Sequence, residues 1–204
     1  MLLNIHWAFF SKFLKNPKSV PKIIGVSDGQ LIERILKTVY KSHYQNYHYH
    51  QEPKLDITQV PPNLHATADI ISCTEVLEHV APPVDLAFAG LRVLLKKNGK
   101  LVLSVPHSDG DGKHIEHFPV MTDSSLVLDD NPRLIGTLRN GERAEFNNLV
   151  FHGGVGFTLE YRIFSFHSLR KEILAAGFTN FRLNRNAKIF GITWENWSRV
   201  WVCG

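Results

Sequence analysis

The sequence predicts an α/β fold with a mostly parallel sheet, and three observations predict it. Asp69–Thr74 is a short apolar run ending in small and polar residues, the pattern of a buried parallel strand. Val84–Leu95 carries leucine, valine and alanine all round, as a helix packed on a sheet does. Lys100–Val105 is apolar again, so strand, helix and strand form a right-handed βαβ unit.

The remaining elements follow from local signals. Lys22–Ser27 reads as a short strand, and Asp28-Gly29 turns it into a helix over Gln30–Tyr40. Tyr47–His50 reads as a second strand ending at Gln51-Glu52-Pro53, and Leu55–Thr58 as a third short segment before Pro61 and Pro62. Glu75–His79 begins a helical turn that Pro82 and Pro83 interrupt. Asn98-Gly99 closes the Val84 helix, because glycine tolerates the left-handed C-cap. His107–Pro119 is a polar loop rich in glycine and histidine. An inserted β-hairpin follows over about residues 119–160, with its turn at Asn140-Gly141. Phe151–Gly156 leads back toward the cleft as a lid, with a plain exposed hairpin as the other reading. Ser165–Gly177 is an amphipathic helix capped by Gly177, and Thr179–Leu183 and Ser198–Cys203 form an antiparallel edge pair. Trp194, Trp197 and Trp201 fill the core or the sheet edge.

Composition bounds the function classes. A chain of 204 residues buries a full core without staples, and no repeat or linker marks a second domain, so residues 1–204 read as one domain. Two cysteines far apart exclude a disulfide framework and a cysteine-based zinc site. No apolar run approaches the ~20 residues that span a bilayer, and Leu2–Leu14 lacks the marks of a signal peptide. No membrane span and a cytoplasmic location are therefore expected. The formal charge of +4 is wholly N-terminal, because acids and bases number fifteen each from residue 61 onward. A solvated basic helix face accounts for that excess better than a nucleic-acid footprint, so no nucleic-acid partner is expected.

Asp69–Pro106 closely resembles the second half of the class I S-adenosylmethionine-dependent methyltransferase domain, of the type 11-like group. The shared pieces are the acidic start of the strand, Glu75-Val-Leu-Glu-His-Val80, and Arg92-Val-Leu-Leu-Lys-Lys-Asn-Gly99 before the next strand. The likeness continues more weakly through Leu169–Phe178. Gly25-Val-Ser-Asp28, Gln51-Glu-Pro53 and Leu55-Asp-Ile-Thr58, with His152-Gly-Gly154, resemble a bacterial methyltransferase group often found near surface-polysaccharide glycosyltransferases. The resemblance implies a Rossmann-like sheet and methyl transfer from S-adenosylmethionine to a small-molecule acceptor, with a hydroxyl of a sugar or related metabolite preferred. It also admits association with a glycosyltransferase or biosynthetic complex.

Two registers onto the family pattern are open. In one, Lys22–Asp28 is the first strand and Glu52 ends the second. In the other, Asp28 ends the second strand. The first is favoured, because losing a central parallel strand exposes two rows of backbone donors and acceptors. Shortening an edge strand costs far less. The family's Gly-x-Gly-x-Gly loop is represented by Gly25-Val26-Ser27-Asp28-Gly29, with only two glycines. Ser27 leaves room for a cofactor, and Asp28 is placed to face its positively charged methionine end. Glu52 is the candidate ribose acceptor, Asp56 the candidate partner of the adenine amino group, and Thr74 and Glu75 complete the cofactor set. Glu52 and Asp56 also fit ordinary turn residues.

Glu75, Glu78 and His79 would share one helical face at i, i+3 and i+4. Two carboxylates and an imidazole can hold a divalent ion. Metal-dependent small-RNA 2′-O-methyltransferases and some quinone-pathway O-methyltransferases have the same Glu-x-x-Glu-His order and a further downstream ligand, for which His117 is the nearest match. Most methyltransferases with this motif bind no metal, so no metal is expected and these side chains are expected to hold the turn together. A hydroxyl acceptor must lose a proton, and histidine suits that work. His117 is the first candidate base, followed by His152, His107 and His79. A catalytically silent methyltransferase-like scaffold is the rival reading, motivated by the sparse glycine loop.

Overall fold

The computed structural model describes residues 20–108, 114–152, 158–184, 188–189, 192–193 and 198–204. The lid glycines, Trp194, Trp197 and the Leu2–Leu14 segment lie outside these. Six strands form the main sheet. They are β1 (Ile23–Val26), β2 (Tyr44–Tyr47), β3 (Ala68–Thr74), β4 (Leu95–Pro106), β12 (Phe181–Asn184) and β15 (Ser198–Cys203). Their spatial order is β12-β15-β4-β3-β1-β2. β2, β1, β3 and β4 run parallel, and β15 and β12 add antiparallel strands at one edge. β1 thus lies beside β3, in the central place that the first register assigns to it.

Alternation of side chains separates the two faces. On one face Ile24, Ile71, Leu103 and Trp201 pack with α2 (Asp85–Leu94) and α3 (Phe166–Ala175), which bury Phe88, Leu91, Leu169 and Ile173. On the other, Ile23, Tyr44, Ile70 and Val102 meet Leu36 and Tyr40 of α1 (Gln30–Tyr40). α3 begins with a capping box, in which Ser165 and Ser168 exchange side-chain and backbone hydrogen bonds. Gly177 follows the helix at φ +87°, the left-handed value its position predicts.

Several expected boundaries move. β2 spans Tyr44–Tyr47 rather than Tyr47–His50, because a 3₁₀ turn at Lys41–His43 delivers the chain directly into pairing with β1. Pairing stops at Val26↔Tyr47, where β1 ends, so Glu52 falls beyond the strand on an exposed bend. Leu55–Thr58 is not a strand of the sheet. Leu55 and Ile57 are nevertheless buried in its core, and only a single bridge, His48 to Lys54, extends the pairing. Glu75–His79 forms no α-turn. Glu75 takes φ 54°, and a 3₁₀ turn covers Leu77–His79. Asn98-Gly99 does not cap a helix, since Leu95 is already extended and both residues lie inside β4.

The insertion is larger than a hairpin. β6 (Met121–Val127), β7 (Arg133–Leu138) and β8 (Arg143–Phe146) form a three-stranded antiparallel sheet, with the Asn140-Gly141 turn between β7 and β8. Two ribbons tie it back. β5 (Ile115–Glu116) pairs with β11 (Arg162–Ile163), and β9 (Phe151–His152) pairs with β10 (Thr158–Leu159). Phe118, Leu134 and Leu159 make a small core of their own with Met121, Phe146 and Tyr161 packed against it. Near the end of the chain, β13 (Lys188–Ile189) pairs with β14 (Ile192–Thr193). No described helix is long and apolar enough to cross a membrane.

Candidate active site

Three segments meet beyond the carboxyl end of β3: the Leu77–His79 turn, the residues after β5, and the β9–β10 ribbon. Arg162 is the tie. Fully buried, it donates through Nη1 to the carbonyls of Leu77 and Val80 at 2.6 Å each, and through Nε to Glu116 Oε1 at 2.7 Å. Backbone bonds reinforce it, the Tyr161 amide donating to the Glu78 carbonyl at 2.7 Å and the His117 amide to the Tyr161 carbonyl at 2.9 Å.

Side chains converge there. The buried Glu160 carboxylate bridges two imidazoles, with Oε1 2.9 Å from His117 Nε2 and Oε2 2.8 Å from His152 Nε2. His79 stacks edge-on against His152, with ring centroids 4.7 Å apart, and its Nδ1 lies 2.8 Å from the Leu159 carbonyl. That contact makes Nδ1 the protonated nitrogen of the neutral ring. Burial lowers the His79 pKa. Glu78 is fully buried, and neither carboxylate oxygen has a hydrogen-bond partner among the described residues. His79 Nε2 lies 3.7 Å from its Oε1. Burial first, and the neighbouring charge of Glu75 second, push the Glu78 carboxyl well above the ordinary range.

The structure thus brings together His117, His152, His79 and Glu78, drawn from three places in the sequence. Glu75 turns elsewhere, its Oε1 accepting from Ser104 Oγ at 2.7 Å on β4. The expected shared face of Glu75, Glu78 and His79 therefore does not form, because the left-handed Glu75 backbone interrupts the helical register. His107 belongs to the packing. It is buried and accepts from Trp201 Nε1 at 3.0 Å. Glu160 and Arg162 escaped sequence reasoning, since nothing local marks a carboxylate whose partner is His117, 43 positions away.

The loop after β1 has an unexpected interior. Asp28 is buried rather than facing the cleft, receiving Ser72 Oγ at 2.7 Å and Tyr44 Oη at 2.9 Å. Asn46 Oδ1 accepts from the Asp28 amide, and Asn46 Nδ2 donates to the Asp28 carbonyl, each at 3.0 Å. Desolvation raises the Asp28 pKa to about 7 against these hydrogen bonds. Gly25 makes this cluster fit, because a Cβ there would lie 2.4 Å from Asp28 Oδ2 and 2.7 Å from Tyr44 Oη. Ser27 is exposed at φ 52°, and Gly29 stands open at the start of α1, with nothing within 4 Å of a Cβ. Thr74 is buried at the end of β3. Glu52 accepts from the Lys54 amide at 3.2 Å, and Asp56 Oδ1 accepts from the amide and hydroxyl of Thr58 at 2.8 and 2.6 Å. Both carboxylates therefore take part in turns of their own segment.

Comparison with known proteins fits this geometry. The profile of a methyltransferase-domain family matches residues 12–183, and the chain belongs to that family. No curated protein matches it. Among solved structures it is similar to an S-adenosylmethionine-dependent methyltransferase from Clostridium acetobutylicum ATCC 824, at 12% identity over 96% of this chain and 88% of that one, TM-score 0.55. It is also similar to the 1,6-didemethyltoxoflavin-N1-methyltransferase of Burkholderia thailandensis, solved with bound 1,6-didemethyltoxoflavin and S-adenosylhomocysteine. There the identity is 16% over 96% and 74% of the two chains, TM-score 0.51. The sugar N-methyltransferase KedS8 from Streptoalloteichus sp ATCC 53650 is similar at 11% over 97% and 85%, TM-score 0.52. At these identities the likeness is one of fold.

Proposed function

We propose that this protein transfers a methyl group from S-adenosylmethionine to a hydroxyl of a small metabolite, a sugar or a related compound. The observation that carries the acceptor class is the Glu160 carboxylate shared by His117 and His152. A sulfonium methyl moves by in-line displacement, so positioning supplies much of the rate. A hydroxyl nucleophile must in addition release a proton. An imidazole held through Nε2 by a carboxylate is oriented to receive that proton at its other nitrogen. His117 fills this role first and His152 second, with His79 behind them. Open sheets bind ligands outside the carboxyl ends of their strands. Ser27 and Gly29 after β1, with Thr74 and Glu75 after β3, therefore form the cofactor wall. Glu52 Oε2 and Asp56 Oδ1 hold turn contacts, and the second oxygen of each carboxylate can meet the ribose and the adenine amino group.

Calorimetric titration with S-adenosylhomocysteine tests the reading. Binding weakened by Glu75→Ala supports it, and a folded protein giving no heat at millimolar ligand rejects it. A second reading has an observation of its own. The side chains packed around Gly25 occupy space that a glycine loop ordinarily leaves to cofactor. A silent methyltransferase-like module, acting beside a glycosyltransferase in a biosynthetic complex, would fold stably, bind no cofactor and co-purify with that enzyme.

A further inference from the structure

We infer that Glu78, His79 and His152 form a binding site for a divalent transition ion of the zinc class. One ligand atom from each lies within 4.8 Å of the other two. Tetrahedral donors at ordinary zinc distances are about 3.3–3.5 Å apart. The Glu78–His79 pair is already near this, at 3.7 Å. This donor set is not the one the Glu-x-x-Glu-His motif implies, since Glu75 is diverted to Ser104 and His152 arrives from the insertion.

The second observation is Glu78 itself. A carboxylate with no exposure and, among the described residues, no hydrogen-bond partner on either oxygen is a costly group to bury. A cation between it and the two imidazoles removes that cost. The imidazoles are also prepared for such a task. His79 is fixed through Nδ1 by the Leu159 carbonyl, which directs the Nε2 lone pair toward Glu78. His152 is fixed through Nε2 by Glu160. Carbonyl and carboxylate supports of this kind orient metal-bound histidines. Two nitrogens and one oxygen favour zinc, cobalt or iron over magnesium and calcium, which prefer oxygen alone. Three protein donors leave a position open, as catalytic rather than structural sites do.

The inference stands without the methyl-transfer reading; where both hold, the ion occupies His79 and His152 and His117 alone serves as the base. Its test uses the metal alone. The full chain is purified, stripped with chelator, and titrated with zinc by calorimetry and with cobalt by visible absorption. One equivalent should bind, with the intense absorption of tetrahedral cobalt. Glu78→Gln and His152→Ala should each weaken zinc roughly tenfold to a hundredfold or more, while His43→Ala on the exposed Lys41–His43 turn leaves it unchanged. Circular dichroism confirms that the variants fold, and Glu78→Gln keeps the shape of the side chain if His152→Ala does not. No binding at millimolar zinc, or binding undiminished in both variants, overturns the inference and leaves a proton or water with Glu78. S-adenosylhomocysteine titrated into the same samples reports on cofactor binding alone, so failure of the metal site and failure of the methyl-transfer reading are distinguishable.

Discussion

At the scale of single residues, Asp28 carries the clearest pH signature. Burial pushes its carboxyl up to about 7 in the folded chain, against an ordinary value of 3.8. A raised carboxyl pKa means that the folded state holds its proton longer than the unfolded state does. The stability it contributes is complete below about pH 4 and is lost as pH rises toward 7. The shift corresponds to about 4 kcal/mol. Urea unfolding of Asp28→Asn should lack this slope between pH 4 and 7, and an unchanged slope would assign it to other groups. Gly25→Ala should cost about 1–3 kcal/mol by overpacking the same cluster. Gly29→Ala, where a Cβ meets nothing, should stay within about 0.5 kcal/mol. The sequence showed Asp28 as a turn residue and a candidate cofactor contact, not as the centre of a buried cluster. Its partners Tyr44 and Ser72 are 16 and 44 positions away, and no local pattern records such a contact.

At the scale of elements, what was legible was what is local. The helix start at Ser165, the Gly177 stop and the Asn140-Gly141 turn each depend on neighbours within a few residues, and each is where the sequence places it. The position of β2 depends instead on pairing with β1, and the start of β4 on pairing with β3, so both departed from the expected boundaries. Gly90 on α2 shows how tertiary context overrides propensity. Alanine ordinarily favours a helix over glycine by about 1 kcal/mol. Here its Cβ would lie 1.8 Å from the Ile57 carbonyl oxygen, so Gly90→Ala should destabilise the protein, as a lowered thermal midpoint would record. Arg162 is the other decisive position. Arg162→Ala should cost about 3–5 kcal/mol by leaving two carbonyls without their donor and Glu116 with His114 alone. Arg162→Lys should recover little, because a single ammonium does not reproduce the fork. Faster amide exchange around residues 77–80 and 115–117 is the expected readout.

At the scale of the whole molecule, two hydrophobic assemblies of unequal size sit side by side. The sheet core joins strands and helices from most of the chain, whereas the insertion closes over Phe118, Leu134 and Leu159. Unequal cores open unequally. Native-state exchange should release Arg133–Leu138 at lower denaturant than Ala68–Thr74, and simultaneous release would show one cooperative unit. The placement of His117, His152 and Glu160 adds a consequence for descent and engineering. In the proposed reaction the sheet supplies the methyl donor, and the segment between β4 and α3 supplies the groups that accept the proton. Such a segment behaves as a cassette. Exchanging it between relatives would carry reaction preference along with acceptor choice, so the two traits would be inherited as one.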